Sequence, residues 1–170
     1  MPSASTSSCV APALAEEKTK LSSEMKRIIL PSEYIKKLIE LDLLEEVLKE
    51  SKLGQYNKLA KAFTQFVNLN LNLKECSHID LEQIHGIGKK TSRFFLLYNR
   101  EQANYACLDT HILKFMRDVL KINNVPKNTP SGKRYDVLEQ LFLDYANSIN
   151  KKPAELDLEI WKKYNKSGIK

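Results

Sequence analysis

The chain has 170 residues, 42% hydrophobic and 28% charged, with five glycines, six prolines and a formal net charge of +6. That length supports one sizeable core, and low glycine and proline with little Val/Ile/Thr alternation exclude a sandwich, barrel or collagen-like chain and predict an all-α fold. No apolar run approaches the roughly 18 residues of a membrane span, and Cys9, Cys76 and Cys107 are too few and too scattered for a disulfide framework, which fits a reducing compartment.

Residues 1–23 are Ser/Ala-rich without periodicity and read as a disordered leader, with no apolar segment of the kind a secretory signal needs. Residues 24–170 are expected to form a single compact multi-helix domain. From Pro31 apolar residues recur at three- and four-residue spacing (Tyr34, Ile35, Leu38, Ile39, Leu41). A break near Leu41-Asp42 separates them from Leu43, Leu44, Val47 and Leu48, and Gly54 stops the second helix. Tyr56 to Leu69 forms the next helix. The alternating run from Asn68 to Leu73 is short and isolated, and reads as a loop or fraying helix end.

Asp80 is placed to N-cap a short helix through Ile84. His85-Gly86-Ile87-Gly88 then leads into a helix ending about Tyr98, so that a hairpin spans residues 80–98. Asp109 precedes a periodic helix containing Ile112, Leu113, Met116 and Val119, within a segment spanning 107–120. Beyond the turn-rich stretch Pro126 to Gly132, a helix from Tyr135 to Ile149 is expected to turn Val137, Leu138, Leu141, Phe142 and Tyr145 inward, and Pro153 opens a last helix carrying Leu156, Leu158, Ile160 and Trp161.

Charge is uneven. From Gly86 to Arg134 the basic residues Lys89, Lys90, Arg93, Arg100, Lys114, Arg117, Lys121, Lys127, Lys133 and Arg134 face only Glu101, Asp109 and Asp118. This local excess surpasses that of the whole chain and suits a polyanion. The glycines of Gly86-Ile87-Gly88 permit close backbone approach, and the first N–H groups of the following helix form an anion site strengthened by its dipole. Ile84 and Ile87 would pin the turn to the core, while Lys89 and Arg93 stand where flanking phosphates would lie. On Gly-Ile-Gly alone, a plain tight turn is the better reading.

The run Leu81-Glu-Gln-Ile-His-Gly-Ile-Gly-Lys-Lys-Thr-Ser, followed one helix later by Cys107-Leu-Asp-Thr-His-Ile, resembles the two-part signature of the helix-hairpin-helix (HhH-GPD) DNA glycosylase superfamily. Leu53-Gly-Gln-Tyr-Asn-Lys-Leu-Ala-Lys-Ala is similar to the family segment leading toward the hairpin. The resemblance is to endonuclease III and 8-oxoguanine glycosylase-like members, in a reduced form without an iron–sulfur cluster, and extends over approximately Leu41 to Leu120. His85 departs from it, standing where the family has Pro. The resemblance implies a DNA glycosylase with AP-lyase activity that extrudes a damaged or modified base from double-stranded DNA and breaks its glycosidic bond. It implies Asp109 as the catalytic carboxylate, stabilising positive charge on the sugar, and Lys90 as the amine that attacks C1′ and forms a Schiff base. Read without it, Asp109 is an ordinary helix cap and Lys90 an ordinary solvated lysine.

DNA contacts are expected from His85, Gly86, Gly88, Lys89, Thr91, Arg93, His111, Lys133 and Arg134, the last two in a second phosphate clamp ahead of a helix. Phe142, Tyr145, Trp161 and Tyr164 are candidates to stack on a base, with the core as their ordinary alternative. Cys76, His78, Cys107 and His111 do not match a zinc template, so neither metal nor cofactor is expected. A monomer acting wherever the DNA is, in a prokaryotic cytoplasm, an infected cell or a nucleus, completes the expectation. A hairpin module that binds DNA without catalysis, and a viral-type enzyme that remodels modified bases, are the alternatives.

Overall fold

The computed structural model describes residues 30–166, so the expected leader at 1–23 lies outside the described residues. These contain eight α-helices and no strand: α1 (Pro31–Glu40), α2 (Leu44–Glu50), α3 (Tyr56–Leu69), α4 (His78–Glu82), α5 (Lys89–Asn99), α6 (Thr110–Asp118), α7 (Gly132–Ser148) and α8 (Pro153–Lys166). The all-α expectation is met. None of these helices is long and apolar enough to cross a membrane. The chain divides into two compact units between Val67 and Asn68.

In the first unit, α1 opens with proline at its first turn, where the missing N–H costs no helical bond. Asp42 in the left-handed region (φ +56°) breaks the chain where the sequence predicts, and Gly54 (φ +71°) precedes α3. Leu38, Leu43, Leu44, Leu48 and Ala60 are its buried residues, with Tyr34, Ile35 and Phe63 packed on them. Asn70 (φ +44°) follows the end of α3. The alternating Asn68 to Leu73 run is thus a helix end and a loop.

The second unit carries two apolar clusters. Cys76, Leu81 and Leu96 form the smaller, covered by Leu71, Ile87, Phe95 and Tyr105. The larger joins Ala106 and Leu108 to Ile112, Leu113 and Met116 of α6, Tyr135, Leu138 and Phe142 of α7, and Leu156 and Ile160 of α8. Helix α8 packs against α5, α6 and α7.

Two elements differ from the sequence reading. The N-cap of α4 is Ser77, and Asp80 is the third helical residue of a capping box. Ser77 Oγ accepts from the Asp80 N–H at 3.2 Å, and Asp80 Oδ2 accepts from the Ser77 N–H at 2.7 Å. Those bonds, with one from the Ser77 hydroxyl, hold the Asp80 carboxyl below its ordinary range. Helix α7 starts at Gly132, and its buried face is Tyr135, Leu138, Glu139, Phe142, Leu143 and Ala146. Val137 and Leu141, expected inward, are 60% and 39% exposed. Helical spacing from Tyr135 decides this: the stripe has to include position 139, and a buried cation is available there to accept a glutamate.

Phe142→Ala is therefore expected to lower unfolding free energy by about 3–5 kcal/mol, and Val137→Ala by less than about 0.5 kcal/mol, in urea titrations. Equal losses would restore the face that hydrophobicity alone selects.

Candidate active site

The hairpin is a short helix, a turn and a longer helix. Ile87 N–H donates to the Ile84 carbonyl at 3.0 Å across the turn. Gly86 takes the third turn position at φ +84°, a conformation L side chains rarely adopt. Ile84 is buried and Ile87 packs on the Leu81–Leu96 cluster, so the turn is fastened to the core as its two isoleucines predict. Gly88, the N-cap of α5, is extended and offers no side-chain cap. A methyl group there would meet nothing within 4 Å. The Ser92 N–H donates to the Gly88 carbonyl at 3.0 Å, so the N–H groups of Lys89, Lys90 and Thr91 precede the first helical bond. The start of α5 is thus open toward an external acceptor.

Arg93 departs from the expected phosphate contact. It is only 3% exposed, and its guanidinium pairs with Glu82 of α4, with Glu139 of α7 at 3.4 Å and with Asp136 at 3.9 Å. Four positions after Lys89 on a helix whose face packs on α7, it has no path to solvent. Lys89 pairs with Asp136, which places its ammonium against α7. Other arginines of the basic stretch bond internally too: Arg100 to the Cys76 carbonyl, Arg117 to that of Pro126 at 2.6 Å, and Arg134 to that of Asn124. Lys90, Lys114, Lys121, Lys127 and Lys133 are exposed and carry the outward charge.

A cavity of about 600 Å³ opens beside α5. It is lined by Lys90, Thr91, Phe94 and Tyr98 from α5, by Cys107 and Asp109 from the segment before α6, and by Asp157, Leu158 and Trp161 from α8. The spacing of the α5 residues puts them on one helix face. The structure therefore brings Lys90 and Asp109 to one cavity. Asp109 is also the N-cap of α6: Oδ1 accepts from the N–H groups of His111 at 2.9 Å and Ile112 at 2.8 Å. The cap and the cavity position belong to the same carboxylate.

Asp157 and Tyr98 escaped the sequence reading. The Tyr98 hydroxyl donates to Asp157 Oδ1 at 3.0 Å, while Oδ2 is buried without a hydrogen-bond partner. Desolvation, reinforced by the charge of Asp109, pushes the Asp157 carboxyl up to about 6 against the opposing Tyr98 bond. Burial and the two carboxylates push the Cys107 thiol up to about 12, so it is an unreactive lining group at neutral pH. The signal for Asp157 was a lone acid between Leu156 and Leu158 at the buried spacing of α8.

Of the four aromatic candidates Trp161 alone lines this cavity, at 45% exposure, and Phe94 and Tyr98 join it with ring centroids 5.0 Å apart. Phe142 is wholly buried, Tyr145 packs on Phe115, and Tyr164 stacks on His111. His85 and Thr91 are exposed. Lys133 and Arg134 lie in the first turn of α7, and Thr129, just ahead of that helix, donates to the Leu108 carbonyl at 2.9 Å. Among the described residues no three His, Cys, Asp or Glu side chains are grouped to hold a metal ion. A second cavity, about 660 Å³, lies at the far end of α5 by Arg100, Asn147 and Lys151, and contains none of the candidates.

Residues 38–151 match the family model described as 8-oxoguanine DNA glycosylase. The chain is 33% identical over 127 residues to the 8-oxoguanine DNA glycosylase/AP lyase of Methanocaldococcus jannaschii, covering 69% of this chain and 60% of that protein. It is 37% identical over 81 residues to the protein of the same name from Picrophilus torridus, covering 48% and 37%. The corresponding protein of Saccharolobus islandicus is 30% identical over 115 residues, 68% of this chain and 54% of the relative. The chain thus spans 60% or less of the length of these relatives. No solved structure matches.

The raised Asp157 carboxyl has a thermodynamic signature. Between about pH 4 and 6 the folded state holds a proton that the unfolded chain has released, so stability falls as pH rises through that window. Asp157→Asn is expected to remove a pH-dependent loss of about 1–3 kcal/mol there, measured by denaturant unfolding at fixed pH. Parallel pH profiles for the two proteins would refute the shift.

Proposed function

Because the chain belongs to the 8-oxoguanine DNA glycosylase family, we propose that it excises an oxidised guanine from double-stranded DNA and then nicks the abasic strand. The carrying observation is the convergence of Lys90, Asp109 and an aromatic wall on one cavity beside the open start of α5. A backbone phosphate seats on the N–H groups of that start, which orients the duplex without reading its sequence. The extruded base enters the cavity, flanked by Trp161 and Phe94, and Asp157 Oδ2 offers an acceptor for a base N–H.

Chemistry follows from the two groups of opposite character. As the C1′–N bond breaks, its electron pair leaves on the base and positive charge grows on the sugar, where the Asp109 carboxylate stabilises it. The Lys90 amine, after giving up its proton, bonds to C1′, and ring opening gives the protonated imine. Loss of a C2′ proton then expels the 3′ phosphate by β-elimination. The protein is proposed to act as a monomer in whatever compartment holds the DNA.

The test uses duplexes carrying 8-oxoguanine, uracil or an abasic site, with and without borohydride. Wild-type protein is expected to release 8-oxoguanine and to leave a reduced covalent adduct on 8-oxoguanine and abasic strands. Lys90→Ala is expected to abolish the adduct, and Asp109→Asn to slow base release at least about 100-fold. An adduct that survives Lys90→Ala removes that residue from the role. Tight binding with no base release from any duplex makes the chain a DNA-binding module.

A further inference from the structure

The backbone immediately before Asp109 is buried, and no strand among the described residues pairs with it. Ala106, Cys107 and Leu108 are zero, 4% and zero exposed. Buried peptide groups require partners, and here side chains supply them. The Ala106 N–H donates to Glu139 Oε1 at 3.0 Å. The Tyr135 hydroxyl donates to the Ala106 carbonyl at 2.7 Å and accepts from the Leu108 N–H at 3.1 Å. The Leu108 carbonyl accepts from Thr129, as above. Three side chains thus do what a neighbouring strand would otherwise do, and Asp109 is the next residue, its own N–H donating to the Cys107 carbonyl at 2.6 Å.

The clamp is joined to the other half of the cavity. Glu139 uses Oε1 for the Ala106 N–H and Oε2 for Arg93 Nε. Arg93 lies three residues after Lys90 on α5, and its guanidinium carbon sits 5.5 Å from the centroid of the Tyr135 ring. Burial pushes the Tyr135 phenol above its ordinary range, so its proton is always available for the Ala106 carbonyl. One continuous set of bonds therefore runs from the helix bearing Lys90 to the peptide bearing Asp109.

We propose that Tyr135 and Glu139 are positioning residues that fix the Asp109 carboxylate relative to the Lys90 amine, by gripping the peptide groups of Ala106 and Leu108 and linking them to Arg93. Neither residue touches the cavity. Their effect on rate comes through geometry: a misplacement of about 1 Å between reacting groups costs on the order of 100-fold. This inference rests on the function proposed above.

The test compares Tyr135→Phe, which removes a single oxygen, with Glu139→Gln, which keeps an acceptor for the Ala106 N–H, and Glu139→Ala. Single-turnover release of 8-oxoguanine and borohydride trapping are read beside the Kd for a duplex with an uncleavable abasic analogue. Tyr135→Phe is expected to lower the rate 10- to 100-fold with Kd unchanged within two-fold, and Glu139→Gln to recover much of what Glu139→Ala loses. Equal rates in Tyr135→Phe and wild type, or a Kd weakened in step with the rate, would overturn the positioning role. Amide hydrogen exchange supplies a readout independent of catalysis: Tyr135→Phe is expected to speed exchange at Leu108 and at the Asp109-capped amides of His111 and Ile112. Unchanged cap amides overturn the proposal even if the wild-type protein releases no base, whereas an inactive wild type with accelerated cap amides removes only the glycosylase reading. Should Tyr135→Phe fail to fold, Thr129→Val probes the same peptide through the Leu108 carbonyl, with the same exchange result expected.

Discussion

A guanidinium buried to 3% exposure has to be matched by acids, because an unpaired charge in that setting would cost several kcal/mol. Arg93 meets this requirement with carboxylates from two sides: Glu82 on α4, and Asp136 and Glu139 on α7. The second helix of the hairpin is consequently tied to α7 by directional ion pairs and by the Arg93 guanidinium against the Tyr135 ring. Directional bonds fix rotation and register where greasy surfaces tolerate sliding. Lys90 stands three residues before Arg93 on neighbouring positions of the same helix, so that register also sets where its amine lies.

The cavity holds two carboxyl groups in unlike surroundings. Asp109 sits at the positive end of α6, its Oδ1 bound by two backbone N–H groups. Asp157 lies in a drier place with one phenol for company and one oxygen unsatisfied. Unlike environments give like groups different tasks. The first is held by fixed backbone donors, and the second suits a group that exchanges a proton near pH 6.

Sequence patterning disclosed most helices and the hairpin, since turn glycines, an N-cap aspartate and helical apolar spacing are local properties. Asp109 was legible twice, as a cap by position and as a catalytic candidate by resemblance; the structure shows the cap and puts the same carboxylate on the cavity wall. What remained hidden depended on partners far along the chain. Arg93 looked like a surface cation because Glu139, 46 residues later, is silent about its burial. Val137 and Leu141 looked inward because hydrophobicity outvoted the stripe that Glu139 completes. Asp157 was hidden for the converse reason: an acid in an amphipathic helix is ordinarily solvated, and only the packing of α8 on α5 shows that this one is not.

In the proposed function, the placement of Asp109 as both helix cap and cavity carboxylate shapes how this chain can change over generations. Asparagine caps a helix as well as aspartate does, whereas alanine weakens the cap by about 1 kcal/mol. A substitution to asparagine would therefore leave α6 standing while extinguishing the negative charge, and selection on solubility or abundance would not notice it. Under the proposed function, that single substitution is a short route to a well-folded but inactive descendant, closed by selection on activity alone.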